Sequence, residues 1–423
     1  MRGVLWLVLA MGLALPARAD EAEKGFKKAM AAAGGDAGKQ EAAVRALGRE
    51  GAPGARLLGR LAVDPALPAP LRDAAGETFD GLSSDAAVQA WAASALAPGK
   101  AREKESALRV LCVELLASRL KAQPELAERL LPALADESWS VQVAAIRGLV
   151  DAPTRETAGA LCALAEKASG RVLLEASRAL GALTGEEHAD GPAWAAWWAA
   201  KGASWEPGAE RPAPPAATAG GTVVRFNPTQ SIFEGLASTR VIIVVDVSGS
   251  MQVRAFADEG GKKTLTRLEA VQAELARLIE EKLGEQDRFN LIAFSSDVMP
   301  WRKKLVPASK ANKKAALDFV RALKPDGETN ISDSLELAFQ DPEVDTIHFL
   351  TDGTPSRGKL MINDEILAAV KRWNAGRRVR VCAVGFLAGD PTPFGVVENR
   401  GMSERFLQAL AQQNEGTFRM FDD

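Results

Sequence analysis

The segment V-I-I-V-V-D-V-S-G-S-M, which spans Val241 to Met251, decides the fold of the second half of this 423-residue chain. Its first five residues are apolar and β-branched, which is typical of a short strand buried on both faces in a parallel sheet covered by helices. Asp246, Ser248 and Ser250 follow at every second position, so an extended backbone directs the three side chains to one side. A carboxylate and two hydroxyls at the end of a buried strand suit a hard divalent cation such as Mg²⁺.

Residues 222–423 alternate between β-like runs and amphipathic helical runs. This alternation predicts a doubly wound, Rossmann-like α/β domain with a mostly parallel central sheet. The predicted strands are 222–226, 241–245, 288–294, 346–350, 379–387 and 417–421, and the predicted helices are 266–283, 312–323, 363–374 and 403–414. Ligands bind such sheets at the loops beyond the carboxyl ends of the strands, so the loops that carry Asp246, Thr329 and Asp352 are expected at one edge.

Five side chains from these loops match a known motif. Asp246-x-Ser248-x-Ser250, a separate Thr329 and the Asp352 of T-D-G make the domain resemble a von Willebrand factor A (vWA) domain with a complete metal-ion-dependent adhesion site (MIDAS). The resemblance implies that Ser248 and Ser250 bind the cation directly, that Thr329 binds directly or through water, and that the two aspartates act largely through water. It implies Mg²⁺, with Mn²⁺ or Ca²⁺ as alternatives, and a protein partner that presents an Asp or Glu carboxylate to the cation.

The connection after the first motif departs from this family. Between Met251 and the helix near Thr266 lies V-R-A-F-A-D-E-G-G-K-K-T, which is longer than the compact connection of vWA domains. A solvated loop is expected there. Two alternatives are that Asp258 and Glu259 reach the metal, or that the loop shapes partner choice.

Residues 20–202 are rich in alanine, leucine, arginine and glutamate without a convincing strand, which predicts an all-α region. The pattern A-x-R-x-L recurs at intervals of 31 to 38 residues, which fits one helical pair per interval. The copies are 43–47, a degenerate 75–79, 107–111, 145–149 and 176–180. The stretch from Leu130 to Leu149 resembles the HEAT or HEAT-like family through Pro132, Asp136 and the run Val141 to Arg147. The resemblance implies a solenoid whose concave face binds protein, and the alternative is an irregular helical bundle that supports the next domain.

Two features of the helical region allow more than one interpretation. The repeated arginines are solvated surface residues or form a basic ladder for an acidic ligand. Trp194, Trp197 and Trp198 stand at i, i+3 and i+4 and form an aromatic stripe. The stripe is expected to cap the array or to dock it on the second domain, and sugar stacking is the alternative.

Residues 203–221 are rich in Pro, Ala and Gly and are expected to form a linker.

Residues 1–19 combine Arg2, an apolar run and the small-x-small site Ala17-Arg18-Ala19, which predicts a removable signal peptide, with an uncleaved anchor as the alternative. The expected product is an exported bacterial protein, periplasmic or extracellular, without an integral membrane segment. Removal of residues 1–19 takes the formal charge from −3 to −5, which argues against a nucleic-acid binder.

The chain has three cysteines, which are expected to be buried free thiols because an odd number cannot pair completely. It has two histidines, His188 and His348, and neither is well placed as the base of a serine hydrolase. The predicted function is therefore that of a binding or adaptor protein and not of an enzyme, with no catalytic residue. The alternatives are a metal-assisted hydrolase that uses Glu328 or Asp352 as its base, and an accessory subunit of a larger envelope complex.

Overall fold

The computed structural model describes residues 20–99, 102–208, 222–225, 238–257, 263–386 and 397–422. These residues form two compact units, one made mainly of residues up to 212 and the other mainly of residues from 213 onward. The predicted signal peptide, most of the predicted linker, and Asp258 and Glu259 lie outside the described residues.

The first unit is entirely helical over its described residues. Its helices are α1 (20–33), α2 (Ala37–Ala46), α3 (Gly51–Val63), α4 (Ala69–Asp80), α5 (Ala86–Leu96), α6 (Ser106–Ala117), α7 (Ala127–Leu130), α8 (Trp139–Leu149), α9 (Arg155–Ala165), α10 (Gly170–Thr184) and α11 (Gly191–Lys201). One continuous apolar core runs from Val44 in α2 to Trp194 in α11. The predicted all-α region is therefore confirmed.

The five copies of A-x-R-x-L fall in or at the end of every second helix, namely α2, α4, α6, α8 and α10. The alanine and leucine of a copy lie on one face of the helix because they are four residues apart. In α8, for example, Ala145 and Leu149 are both fully buried. Each interval of the sequence pattern therefore corresponds to one pair of helices.

The repeated arginines form ion pairs with the following helical pair. Arg45 contacts Glu77 at 2.9 Å, and Arg147 contacts Glu175 at 2.9 Å. Arg109 is 1% exposed and forms two hydrogen bonds of 2.8 Å with the Asp136 carboxylate. Arg109 is neither a solvated surface residue nor part of a basic ladder for an acidic ligand, so both interpretations are wrong at this position. Its guanidinium is buried against an acidic side chain of the same domain.

The tryptophan stripe packs as core side chains do. Trp194 is buried and its Nε1–H donates to Ser177 Oγ at 3.1 Å. Its ring meets that of Trp197 at 84°, and the ring of Trp198 fills the space where a Cβ on Gly159 would stand. The burial of Trp194 and its steep angle to Trp197 favour a packed cap over a flat platform for sugar stacking.

The second unit is an α/β domain. Its strands are β1 (Thr222–Arg225), β2 (Arg240–Asp246), β3 (Arg254–Ala257), β4 (Lys263–Thr266), β5 (Arg288–Phe294), β6 (Val298–Pro300), β7 (Val306–Pro307), β8 (Thr346–Thr351), β9 (Arg380–Phe386) and β10 (Phe418–Asp422). Its helices are α12 (Arg267–Arg277), α13 (Lys310–Ala322), α14 (Ile331–Gln340), α15 (Asn363–Asn374) and α16 (Val397–Gln413).

The main sheet has the order β1-β10-β9-β8-β2-β5-β6, with β7 also paired to β5. In this spatial order, every neighbouring pair from β1 through β10, β9, β8 and β2 to β5 is parallel. The short strands β6 and β7 of this sheet run antiparallel to β5. Strand β2 lies between β5 and β8, so the chain winds outward from β2 in both directions. This reversal is the topological switch point at which open α/β sheets bind their ligands. The predicted fold class is confirmed.

The strand β2 is buried on both faces, as its sequence predicts. Val241, Ile243 and Val245 belong to the core under α12 and α13, while Ile242 and Val244 are buried on the opposite face. The sequence did not predict β6, β7 or the hairpin of β3 and β4, which occupies the connection expected to be a solvated loop. The three cysteines are buried free thiols, as predicted. No helix among the described residues is long and apolar enough to cross a membrane.

Candidate metal centre

Asp246 is the last residue of β2 and is fully buried at the switch point. Its Oδ1 accepts a hydrogen bond from the backbone N–H of Ser248 at 2.8 Å, which turns the chain sharply after the strand. Its Oδ2 accepts from the hydroxyl of Thr351, the last residue of the neighbouring β8. The carboxylate is therefore fixed by donors from two adjacent strand ends.

Ser248, Ser250 and Asp352 form a continuous chain of oxygen atoms. The two hydroxyl oxygens lie 3.1 Å apart, and Ser250 donates to Asp352 Oδ1 at 2.7 Å. Two ligands at right angles about an octahedral Mg²⁺, each about 2.1 Å from the ion, lie about 3 Å from each other. The spacing of the two hydroxyls therefore fits neighbouring ligands of such an ion, and the hydroxyl of Ser250 retains lone pairs for it while its proton is directed at Asp352.

The loop that carries Thr329 follows helix α13, and backbone hydrogen bonds hold it at the carboxyl edge of the sheet. Gly249 N–H donates to Gly327 O at 3.0 Å, and Asp326 N–H donates to Val247 O at 2.9 Å. Asn330 N–H donates to Ser295 O, just beyond β5.

This anchoring places the Thr329 hydroxyl 3.9 Å from the position of a Cβ on Gly353, the residue after Asp352. The structure thus brings together Ser248, Ser250 and Asp352 by direct contact, adds Asp246 through Ser248 and Thr351, and places Thr329 beside them.

Burial dominates the electrostatics of the two carboxylates. Loss of water on burial, the largest cause, and the neighbouring Asp352 together raise the pKa of Asp246 to about 7 against the opposing hydrogen bonds from Ser248 and Thr351. Burial likewise raises the pKa of Asp352, although the Arg267 guanidinium acts in the opposite direction. Two buried carboxylates side by side hold more negative charge than their surroundings offset, which is the condition under which a divalent cation fits.

Arg267 and Thr351 contact the centre and were not among the predicted site residues. Arg267 Nη1 donates to Asp352 Oδ2 at 2.7 Å, and the guanidinium is 8% exposed. A signal for Arg267 is its place directly after the Thr266 N-cap, because a cation is unfavourable at the positive end of a helix unless it has a partner. Thr351 is the first residue of the T-D-G motif and directly precedes the predicted ligand Asp352.

Hydroxyl oxygens dominate this centre, which distinguishes it from sites made of imidazole, thiolate and carboxylate. Across the described part of the chain, no group of three or more His, Cys, Asp or Glu side chains gathers as a metal site. The donor set of two carboxylates and three hydroxyls fits a hard cation that prefers oxygen, as Mg²⁺ does.

None of the three side chains considered as a base, His348, Glu328 and Asp352, is available to accept a proton at the centre. His348 lies within β8, and burial lowers its pKa to about 3. Glu328 is exposed, and its carboxylate forms an ion pair of 3.0 Å with Arg357. Asp352 is engaged by both Ser250 and Arg267.

Comparison with known proteins supports the assignment of the domain. Residues 241–354 match the family model of the von Willebrand factor type A domain, and this range contains all five predicted ligands. Human von Willebrand factor A domain-containing protein 3B is 25% identical over 194 residues, which is 46% of this chain and 13% of that protein. Human inter-alpha-trypsin inhibitor heavy chain H3 is 37% identical over 196 residues, 43% of this chain and 19% of that protein.

Among solved structures, the conserved hypothetical protein BatB from Bacteroides thetaiotaomicron is 21% identical with a TM-score of 0.33, covering 44% of this chain and 91% of that one. The chain spans less than a fifth of the length of the curated relatives that it matches here. The residues matched by the family model lie within the second unit. The chain therefore consists of an all-helical region followed by a vWA-like α/β domain with a mostly parallel central sheet.

Proposed function

We propose that this protein is an exported adaptor that captures an acidic residue of a partner protein through a divalent cation at the centre of Asp246, Ser248, Ser250, Thr329 and Asp352. The observation that carries the proposal is the 3.1 Å spacing of the Ser248 and Ser250 hydroxyls beside the buried Asp352. Mg²⁺ is the proposed cation, and Mn²⁺ and Ca²⁺ are the alternatives. The centre is then a complete MIDAS.

Each side chain has a distinct part in this proposal. Ser248 and Ser250 offer neutral oxygens, and Thr329 offers a third from the opposite loop. Asp246 and Asp352 supply the negative charge from behind the hydroxyls. A bound cation would supply an electrophilic position for a carboxylate oxygen of the partner, because few of its direct ligands are anionic.

The surroundings of the centre favour binding over catalysis, and we therefore propose that the protein is not an enzyme. General-base chemistry needs a proton acceptor within hydrogen-bond reach of the reacting group and with a pKa near the working pH. The low pKa of His348, the ion pair of Glu328 and the two donors on Asp352 make each of them a poor base.

The helical region is proposed to be a HEAT-like array that provides a second surface for protein binding, with the tryptophan stripe as its terminal cap. The regular place of A-x-R-x-L in every second helix supports stacked helical pairs. The apolar run and the Ala17-Arg18-Ala19 site support a signal peptide and export to the periplasm or the cell exterior.

The test is Asp246→Ala, because removal of this carboxylate takes away negative charge and the anchor of the Ser248 turn. Mg²⁺ affinity, measured by isothermal titration calorimetry, is expected to fall roughly 100-fold. Capture of partners from an envelope or extracellular fraction should occur with Mg²⁺ and be lost with EDTA.

The matched control is Asp297→Ala, which removes an exposed carboxylate from the loop after β5 at the same edge of the sheet. This variant should bind Mg²⁺ and capture partners as the wild type does. Capture that is insensitive to EDTA, or unchanged in Asp246→Ala, would contradict the proposal.

A further inference from the structure

The connection between Met251 and Thr266, which is longer than in vWA domains, ends at Arg267, a charged residue that contacts Asp352 in the metal centre. The hairpin of β3 and β4 leaves the first ligand loop and returns at Arg267, whose N–H donates to Val253 O at 2.9 Å and closes the base of the hairpin. Arg267 is the first residue of α12, directly after the Thr266 cap. The insertion therefore delivers an arginine to a position beside Asp352.

This arginine occupies an electrostatically unfavourable place. It lies at the positive end of a helix and is 7% exposed, so neither the helix nor water stabilises its charge. The 2.7 Å contact with Asp352 is a buried ion pair that offsets this cost. The same carboxylate receives the Ser250 hydroxyl on its other oxygen, so Asp352 serves the guanidinium and the ligand hydroxyl at once.

The contact between Arg267 and Asp352 changes the net charge of the metal centre. Asp246, Asp352 and Arg267 together carry one net negative charge, so a divalent cation leaves the centre with one net positive charge. Without the guanidinium, the two carboxylates would neutralise the cation fully. Because like charges repel and opposite charges attract over these short, poorly hydrated distances, Arg267 opposes the cation and favours an anion beside it.

We propose that Arg267 is a fixed positive charge that makes the centre bind its cation less tightly and select a carboxylate over a neutral oxygen ligand. This inference rests on the proposed adhesion function and adds to it a determinant of specificity. The positive charge of Arg267 restricts the partner's ligand to an ionised Asp or Glu side chain. Asn and Gln have the same shape but carry no charge, so the centre would not select them. Arg267 acts through Asp352 and the local field, so it is a positioning residue.

The test compares Mg²⁺ binding in apo protein for Arg267→Met, Arg267→Gln and Arg267→Lys. The methionine and glutamine variants are expected to bind Mg²⁺ on the order of tenfold more tightly than the wild type. Glutamine retains a donor for Asp352 without the charge, and lysine retains the charge and should stay near the wild-type affinity. Arg277→Met is the matched control, because it removes an ion-paired arginine from the same helix about 15 Å away.

Ligand selection is tested with Mn²⁺ in the centre, by measuring the relaxation of water protons while acetate is added. Acetate should displace bound water from the wild type at lower concentration than from Arg267→Gln, and neutral acetamide should not distinguish the two. Melting curves in EDTA establish that each variant is folded, and Arg267→Gln carries the test if Arg267→Met does not fold.

The outcomes separate this inference from the proposed function. Mg²⁺ binding that Asp246→Ala abolishes, together with equal or weaker Mg²⁺ binding in both neutral variants of Arg267, would overturn the role of Arg267 alone. Absence of Mg²⁺ binding in the wild type would overturn both proposals. Tighter Mg²⁺ binding with weaker acetate binding in Arg267→Gln supports the inference.

Discussion

Thr351 and Asp246 come together from neighbouring strands, and their hydrogen bond holds one oxygen of the buried carboxylate. Thr351→Val removes this donor while nearly preserving the shape of the side chain. Because a buried carboxylate that loses a donor loses about 1–3 kcal/mol of stabilisation, Asp246 should become harder to ionise and Mg²⁺ binding should weaken. Titration calorimetry at neutral pH measures the change.

The matched variant is Thr351→Ser, which keeps the hydroxyl and removes only a methyl group. It should bind Mg²⁺ nearly as well as the wild type. Equal weakening in both variants would show that packing, and not the hydrogen bond to Asp246, sets the effect.

His348 predicts a pH dependence of stability. Burial lowers its folded-state pKa to about 3, whereas an unfolded histidine titrates near 6.5, so between these values the unfolded chain binds more protons. Stability therefore falls as the pH falls below 6.5, by about 1.4 kcal/mol from this group between pH 7.5 and pH 5.5.

Urea unfolding of the wild type and of His348→Gln at the two pH values measures this contribution. The variant lacks the titrating group, so its loss of stability on acidification should be smaller by that amount. The same slope in both proteins would mean that His348 does not resist protonation in the folded state.

At the residue scale, the motif side chains lie close together as predicted, their role as metal ligands stays a prediction, and a residue that only its contacts mark was missed. Asp246 ends β2, and the structure places Ser248 and Ser250 beside it at one edge of the sheet. The expected extended backbone is wrong, because the chain turns after Asp246 and Ser250 lies in the short 3-10 turn Gly249–Gln252. Arg267 was missed because its place at the helix start indicates only that it needs an anionic partner, and that partner, Asp352, is 85 residues away in the sequence.

Among the elements, the arginines of the repeated motif differ in how deeply they are buried. Arg109 in α6 and Arg45 in α2 occupy the same place in their copies of the motif, but Arg109 is buried and Arg45 is about half exposed. Arg109→Met leaves the Asp136 carboxylate without its bidentate partner. Leaving a buried charge without any partner costs about 3–5 kcal/mol, and Asp136 keeps its contact with Arg102 at 2.7 Å, so we expect a loss of stability somewhat below that range.

Thermal unfolding followed by circular dichroism measures this loss, and Arg45→Met is the control within the same motif. Its ion pairs lie in water, where such pairs contribute little, and the melting temperature should change only slightly. Similar losses in the two variants would contradict the special role of the buried pair.

The sequence predicted most regular elements of the α/β unit, since strands β5 and β8 are short, largely apolar runs buried almost throughout and helix α15 has a periodic apolar face. It did not predict the hairpin of β3 and β4. That segment has little apolar periodicity, and its strands pair only with each other across a register shift. Elements of this kind depend on contacts that no short window of sequence contains.

For the whole molecule, the two units have separate apolar cores, one from Val44 to Trp194 and one under the β2 strand. A ligand that binds only the native state stabilises it by about 2.7 kcal/mol at one hundred times its dissociation constant. Mg²⁺ should therefore raise the calorimetric unfolding transition of the α/β unit, whereas Arg109→Met should lower that of the helical unit. Equal shifts of one common transition by both changes would show that the units unfold together.

The overall architecture was predictable because composition and periodicity change where the chain passes from helices to alternating strands and helices. The sheet order required more than periodicity. It depends on which strands β2 selects as neighbours, and these come from positions about 50 and 100 residues later in the chain.

The side-chain hydrogen bonds that join the loop of Ser250 to the loop of Asp352 span long stretches of the chain. Ser250 and Asp352 are separated by 102 positions, and Thr351 and Asp246 by 105. Neither pair can form until β8 has joined the sheet beside β2. The proposed cation site would therefore be absent from a nascent or half-folded chain, so the ion would bind only after the sheet is complete and its occupancy would report the finished fold.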